Sequence, residues 1–288
     1  MKNVIVYLVR GDKKSLVSLK RSLELLKRNF LPWNPTDVLV FHESNVTDFT
    51  IRSCFPEINV LCALVDFSSR PHGEGIMETP RNMSLGGWGY RHMCNFFANG
   101  IFLRHELDGY DYQMRMDDDS YILSPVKYNV FEKMRSNGIK YCYRSVEWDL
   151  PDVCDGLRAV AIEYFKRIGA RIPRRRFSLY VPTYYTNFEI NDLQFFRSKS
   201  WQGFAKTIVE SNGIWNCRWG DAPIRYLGVN GLLSPSEVLQ LTDLHYFHQG
   251  EWLTGHTRRK RWMAHEIDFL RFYLTYKFGK AIKRIKTS

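Results

Sequence analysis

The feature that most constrains the fold is an alternation of two periodicities along the first two thirds of the chain. "NVIVYLV" (3–9) is β-branched and closed by Gly11, and "KSLVSLKRSLELLKRNF" after it repeats apolar Leu16, Leu19, Leu23 and Leu26 at helical spacing. The pattern continues with predicted strands at 37–43, 59–67 and 110–116, a short helix in "DFTIRSCF" and a helix over 90–107. Alternation of this kind predicts an α/β fold in which a sheet with substantial parallel pairing is flanked by helices. A long Gly- and Pro-containing loop spans 68–89. Further helices are expected in "VKYNVFEKMRSNG", "DVCDGLRAVAIEYFKRIG", "KSWQGFAKTIVESNG" and "DAPIRYLGVNGLL", with strands in "KYCYRSVEW" and near 244–250. No repeat or linker divides the chain.

At 288 residues and 44% hydrophobic content the chain can bury a sizeable core. Its 41 Lys and Arg against 30 Asp and Glu favour anionic partners such as phosphates or acidic membrane surfaces. Much of the excess sits in "RIPRRRF", "HTRRKRW" and the C-terminal "YKFGKAIKRIKTS", where a solvated surface is the ordinary reading. No nucleic-acid-binding motif accompanies that charge, so no specific nucleic-acid partner is expected. The six cysteines show no paired ligand spacing, which argues against a zinc or redox motif. The six apolar residues from Val4 to Val9 are too few for a signal-peptide core of roughly 7–15 residues. The tail 269–286 sets Leu270, Tyr273, Leu274, Phe278, Ile282 and Ile285 near one helical face among Lys and Arg, a pattern suited either to peripheral membrane contact or to packing on the domain.

"YQMRMDDDSYIL" (112–123) carries the chemistry. Three adjacent carboxylates repel one another, and hard divalent ions with oxygen ligands relieve that repulsion. Residues i and i+2 of an extended backbone share a side, so Asp117 and Asp119 can reach one Mn²⁺ or Mg²⁺ while Asp118 points elsewhere or meets a sugar hydroxyl. An ion held by few protein oxygens keeps positions for phosphate and can neutralise a departing nucleoside diphosphate. The triplet ends a predicted strand, where open α/β sheets bind ligands. A solvated acidic turn is the plain alternative. Glu189 lies among aromatic and amide residues, and "WNCRWGDAPIRYLGV" brings Arg218, Asp221 and Arg225 near a helix start, where Asp221 as helix N-cap would need no further role. His245 and His248 stand three residues apart, and neutral imidazole suits a borderline ion such as Mn²⁺.

Taken in order, "YRHMCNFF" (90–97), "YQMRMDDDS" (112–120), "TNFEINDLQFFRS" (186–198), "RWGDAPIRYLGV" (218–229) and "HYFHQG" (245–250) resemble glycosyltransferase family 15, the fungal α-1,2-mannosyltransferases that elongate protein-linked mannose chains. The resemblance implies one GT-A nucleotide-sugar-binding domain with a mixed, largely parallel sheet, a GDP-mannose donor, Mn²⁺ as cofactor and retention at the anomeric carbon. Within 1–288, the donor part would cover about 1–125, the acceptor and catalytic part about 126–265, and the basic tail 266–288. Asp117 matches the family's glutamate before a proline, Asp118 stands in the proline's place, and Asp119 takes the polar position that follows. Glu189 matches the proposed nucleophile, Asp221 a position near the acceptor, and His248 the metal-binding histidine. Metal ligands are therefore expected at Asp117, Asp119 and His248, and catalytic groups at Glu189 and Asp221. The donor is expected at Arg10, Tyr90, Arg91, Asp117, Asp118 and Asp119, and a glycan or glycoprotein acceptor at Glu147, Tyr185, Asn187 and Trp219. A DxD reads neither base nor sugar, so a UDP-glucose or UDP-galactose transferase and an inactive glycan-binding protein stay as alternatives. Family members are Golgi membrane proteins with a stem; the chain as given suggests a cytoplasmic setting, with the Golgi lumen for one trimmed from a longer protein.

Overall fold

The computed structural model describes residues 1–173, 180–249 and 251–254. The elements run β1 (Asn3–Val9), α1 (Lys13–Asn29), β2 (Asp37–His42), α2 (Asp48–Cys54), β3 (Val60–Leu64), α3 (Trp88–Ala98), β4 (Tyr112–Met116), β5 (Ser120–Ile122) and α4 (Val130–Ser136). They continue with β6 (Tyr141–Tyr143), β7 (Val146–Asp149), α5 (Leu157–Arg167), β8 (Val181–Tyr184), β9 (Phe188–Asp192), α6 (Leu193–Phe196) and α7 (Lys199–Glu210). The last are α8 (Gly213–Cys217), α9 (Asp221–Leu232), β10 (Val238–Gln240), β11 (Tyr246–His248) and β12 (Glu251–Leu253).

The main sheet has seven strands in the order β10-β6-β9-β4-β1-β2-β3. All its ladders are parallel except the two made by β9, which runs antiparallel to both β4 and β6. This is the mixed, largely parallel sheet that the alternating pattern predicts. Both faces are covered, which is why β4 and β9 are buried along their whole length. β1 shows the division: Val4 and Val6 join the layer of α3, α5, α7 and α9, while Ile5, Tyr7 and Val9 join that of α1 and α4. Burying each such side chain contributes about 1.5–3 kcal/mol. On the first of these faces α9 packs closely through Gly228, where a Cβ would lie 2.6 Å from the rings of Trp201 and Phe204. Two small sheets complete the fold, antiparallel β12-β11-β5 and β7-β8.

Several expected elements are shorter for local reasons. The helix predicted over 90–107 ends at Ala98, and single 3₁₀ turns follow at Gly100–Leu103 and His105–Leu107. The strand predicted across 140–148 divides at Arg144 and Ser145; the Arg144 Nε donates to Leu244 O at 2.7 Å and holds the break. Gly156, at φ +80°, delays α5 to Leu157. The strands β5, β8, β10 and β12 have only three or four residues and no periodicity to reveal them. No helix among the described residues is long and apolar enough to cross a membrane. The amphipathic tail at 269–286 lies outside the described residues.

Candidate active site

The site forms where β4 ends. Asp117 N donates to Asn187 O (3.2 Å) and Ser120 N to Asp117 O (3.0 Å), closing a turn that carries the three aspartates. β5 then pairs with β11, placing Ser120 opposite His248. One carboxylate oxygen each from Asp117 and Asp119 and one ring nitrogen of His248 consequently lie within 4.8 Å of one another. Asp119 Oδ1 is 3.0 Å from His248 Nδ1, and Gln249 Nε2 donates to Asp119 Oδ2 at 3.2 Å. Ligands held about 2.0–2.3 Å from a common ion fall within such a group, and two carboxylates with an imidazole suit a borderline divalent ion. The three residues therefore fit the metal that the sequence implies. Burial opposes ionisation of Asp119, but the bonds from His248 and Gln249 outweigh it and hold the carboxyl below its ordinary range.

Asp118 turns away from this group. Its Oδ2 accepts from Ser15 Oγ at 2.5 Å, in the first turn of α1, whose N-cap Asp12 accepts from Ser15 N. Burial pushes Asp118 up to about 6 against that hydrogen bond, and the charges of Asp119 and Asp117 add to the rise. Arg10, largely exposed beyond the end of β1, lies 3.6 Å from Asp12 and contributes a weaker opposing field at Asp118.

Arg115 joins the aspartate turn to the interior. It is buried in β4, its Nε donates to Asp117 Oδ1 at 3.2 Å, and its Nη1 donates to Asp221 Oδ2 at 2.5 Å. Burial works against its charge, yet Asp117, Asp221 and Glu189 hold the guanidinium above its ordinary range. Asp221 Oδ2 also accepts from Thr186 Oγ1 at 2.8 Å. The capping role read for Asp221 is corrected here: Gly220 is the N-cap of α9, and Asp221, the first helical residue, spends its carboxylate on Arg115 and Thr186.

Glu189 faces Arg115 across the β4–β9 ladder and is 1% exposed. Its Oε2 accepts from Arg225 Nε (3.0 Å) and Tyr141 Oη (3.0 Å), and its Oε1 from Arg225 Nη2 (3.2 Å). Arg225 is itself fully buried among the rings of Phe102, Phe196 and Trp201, each within 5.0 Å. A forked guanidinium on a carboxylate is among the stronger pairings available in an interior.

Two expected contacts are corrected. Arg91 is 0% exposed and donates to the carbonyls of Gly86, Ile214, Trp215 and Arg81, so it braces the loop before α3 against α8 and is not presented to a donor. Trp219 is 3% exposed, and its Nε1 donates to Asp155 O at 2.7 Å, which leaves its ring in the core and not against an acceptor. Tyr90 is half-buried, with the Arg218 guanidinium 4.4 Å over its ring. Asn187 is buried beside the aspartate turn, its carbonyl also accepting from Tyr246 Oη at 2.9 Å. Tyr185 is half-buried with its ring edge-on to His248 at 5.4 Å; burial raises its phenol, and the charges of Glu251, Glu147 and Asp117 add to that. Glu147, half-buried on β7, thus belongs to the same neighbourhood.

Sequence reading missed the partners. Arg115 carries a visible signal, a charge inside an otherwise buried strand, whereas Tyr141, Thr186 and Ser15 carry none.

Comparisons with known proteins give the family and the fold. The probable mannosyltransferase YUR1 of Saccharomyces cerevisiae is 30% identical over 196 residues, which cover 60% of this chain and 46% of that protein. The alpha-1,2 mannosyltransferase KTR1 of the same yeast is 29% identical over 170 residues, 55% of this chain and 43% of that one. The chain thus spans about half the length of the curated relatives it matches. Among solved structures, core-mannan synthase A (CmsA/Ktr4) from Aspergillus fumigatus in its Mn/GDP form superposes with a TM-score of 0.78 at 19% identity, covering 89% of this chain and 77% of that one. The mannosyltransferase Ktr4p from S. cerevisiae in complex with GDP gives 0.79 at 21% identity, covering 88% and 72%. The architecture is accordingly the GT-A fold. The family described as glycolipid 2-alpha-mannosyltransferase matches residues 76–266, two thirds of the chain and all of the site described above except Arg10, Asp12 and Ser15; the chain belongs to that family, glycosyltransferase family 15.

Proposed function

We propose that this protein is a metal-dependent, retaining glycosyltransferase that moves mannose from GDP-mannose to a hydroxyl of a glycan or glycoprotein acceptor, forming an α-1,2 linkage. The observation that carries this reading is the grouping of Asp117, Asp119 and His248 at the end of β4, tied to Asp221 through Arg115, which itself stands opposite Glu189. Relatives named as mannosyltransferases, and structural neighbours solved with GDP or with Mn and GDP, support the donor and the ion.

In this reading Asp117, Asp119 and His248 would hold Mn²⁺, and the bound ion would supply positive charge to the departing diphosphate. The bond between the anomeric carbon and phosphate breaks with its electron pair leaving on GDP. The acceptor oxygen bonds to that carbon from the same face, and its proton passes to the departing diphosphate. Glu189 supplies negative charge for the oxocarbenium-like centre. Both of its oxygens already accept hydrogen bonds, so it would attack covalently only by giving up a bond to Arg225 or Tyr141. That favours stabilisation of an ion pair over a glycosyl-enzyme. Asp221 keeps Arg115 turned toward Asp117.

The test is a donor panel of GDP-mannose, UDP-glucose and UDP-galactose, each with Mn²⁺ and with EDTA, read by hydrolysis and by transfer to a mannoside. Turnover of GDP-mannose that stops in EDTA is expected. Turnover of a UDP-sugar instead would discard mannose, and no turnover of any donor would favour a glycan-binding protein.

A further inference from the structure

We infer that the outer face of α1 and α2 is a docking surface for an acidic phospholipid bilayer. The surface lies near the start of the chain, apart from the tail 269–286, and the docking stands independently of the transferase reading.

α1 and α2 pack side by side on one face of the sheet, where Leu19, Leu23, Ile51 and Phe55 join one core. The solvent side of α1 is a single stripe. Lys13, Val17, Lys20, Arg21, Lys27 and Arg28 recur there at helical spacing, all exposed, and exposed Lys14 borders them. Carboxylates answer only part of that charge. Arg21 lies 3.6 Å from Glu24, Lys27 pairs with Glu57, and on α2 Arg52 lies 3.6 Å from Asp48. Among the described residues Lys13, Lys14, Lys20 and Arg28 form no ion pair. On the opposite face of the sheet α7 shows a more even balance: its exposed charges are Lys199, Lys206 and Glu210, and the last two lie 3.6 Å apart.

Two apolar side chains interrupt this cationic surface. Val17 is 63% exposed within the stripe, with Lys13 one turn before it and Lys20 and Arg21 one turn after. A β-branched residue is a weaker helix former than Ala or Lys, and at that exposure packing does not call for one. Phe49, in the first turn of α2, is 80% exposed, the most of any large apolar side chain among the described residues, while Ile51 of the same helix is buried. A single exposed apolar residue is ordinary. Two of them among unpaired cations on one helical layer have the composition of a membrane-surface helix, in which apolar side chains enter the acyl boundary and Lys and Arg meet acidic headgroups. A nucleic acid would answer the cations and leave Val17 without a role.

The placement also bears on the cleft. The first turn of α1 carries Ser15 beside Lys13 and Lys14, and the Ser15 Oγ donates to Asp118 Oδ2. A bilayer against the stripe therefore borders the aspartate turn.

The test is co-sedimentation of the full chain with vesicles of phosphatidylcholine, alone or with about 30% phosphatidylserine. Wild type should bind the acidic vesicles, leave them as NaCl rises from about 0.05 M to about 0.5 M, and ignore phosphatidylcholine. The double variant Lys13→Glu, Lys20→Glu should lower the partition coefficient about tenfold or more, and Phe49→Ala about fivefold or more. Melting temperatures should match wild type, since all three positions are exposed; Val17→Ser is the second apolar variant if Phe49→Ala fails to fold. The basic tail is present in every protein compared, so wild-type binding by the charge variant would place the contact elsewhere and overturn the proposal. Wild-type binding by the apolar variant would leave only diffuse attraction between charges and overturn it as well. Wild type that ignores acidic vesicles at low salt refutes it outright, and retention on heparin in that case would assign the stripe to a soluble polyanion instead.

Discussion

Two groups of carboxylates meet in this site and are treated oppositely by the fold. Glu189 and Asp221 are buried, and each has an arginine supplied from elsewhere in the chain, Arg225 for the one and Arg115 for the other. Asp117 and Asp119 are about one third exposed, on a turn; Asp117 has a claim on Arg115, and Asp119 meets His248 and Gln249. A buried carboxylate without a partner costs several kcal/mol, so the interior must bring its own counter-charge. At the cleft, repulsion is tolerated because solvent screens it and an ion can arrive from outside. Arg115 belongs to both groups and couples them.

The difference can be broken from either side. The largest effect is expected at Glu189→Gln, which should lower transfer by about three orders of magnitude, near 4 kcal/mol in the transition state, while Mn²⁺ and GDP still bind. Steady-state kinetics with calorimetry would check it, and near-normal turnover would remove Glu189 from the chemistry. Next comes Arg225→Met, which strands Glu189 and should cost about 3–5 kcal/mol of stability in urea denaturation. Combining it with Glu189→Gln should cost less than the sum of the two by 1 kcal/mol or more, roughly, because each single change leaves a buried partner unpaired. Additive costs would mean that the pair is not a unit.

On the open side the expectation reverses. His248→Ala should weaken Mn²⁺ binding by about 10–100-fold, yet change metal-free stability by less than the Arg225 substitution does. Removing the metal from wild type gives a change of similar size: at about 100 times Kd the Mn²⁺–GDP complex should stabilise the fold by about 2.7 kcal/mol, a melting shift that EDTA abolishes. A shift that survives EDTA would place the stabilising contact on nucleotide alone.

How much of this was legible in sequence depends on the range over which each signal acts. β1 and α1 declare themselves by periodicity, and the DxD by the improbability of three adjacent carboxylates at a strand end. His248 meets Asp119 only through a ladder linking residues 128 positions apart, and it was readable through family resemblance alone. The bond between Arg115 and Asp221 spans 106 positions, so local sequence offered Asp221 only a helix cap, and its expected place in the site came from the family resemblance. Arg91 and Trp219 mislead for the opposite reason. Both sit inside informative motifs, and a polar or aromatic residue there reads as a ligand contact until its burial and its backbone partners are known.

The central claim is that Asp117, Asp119 and His248 together hold one divalent ion against a nucleoside diphosphate. Calorimetric titration of Mn²⁺ into protein saturated with GDP, for wild type and Asp119→Asn, tests it most directly. One ion per chain with affinity about tenfold or more weaker in Asp119→Asn is the predicted result, and equal affinity in the two proteins would contradict the account.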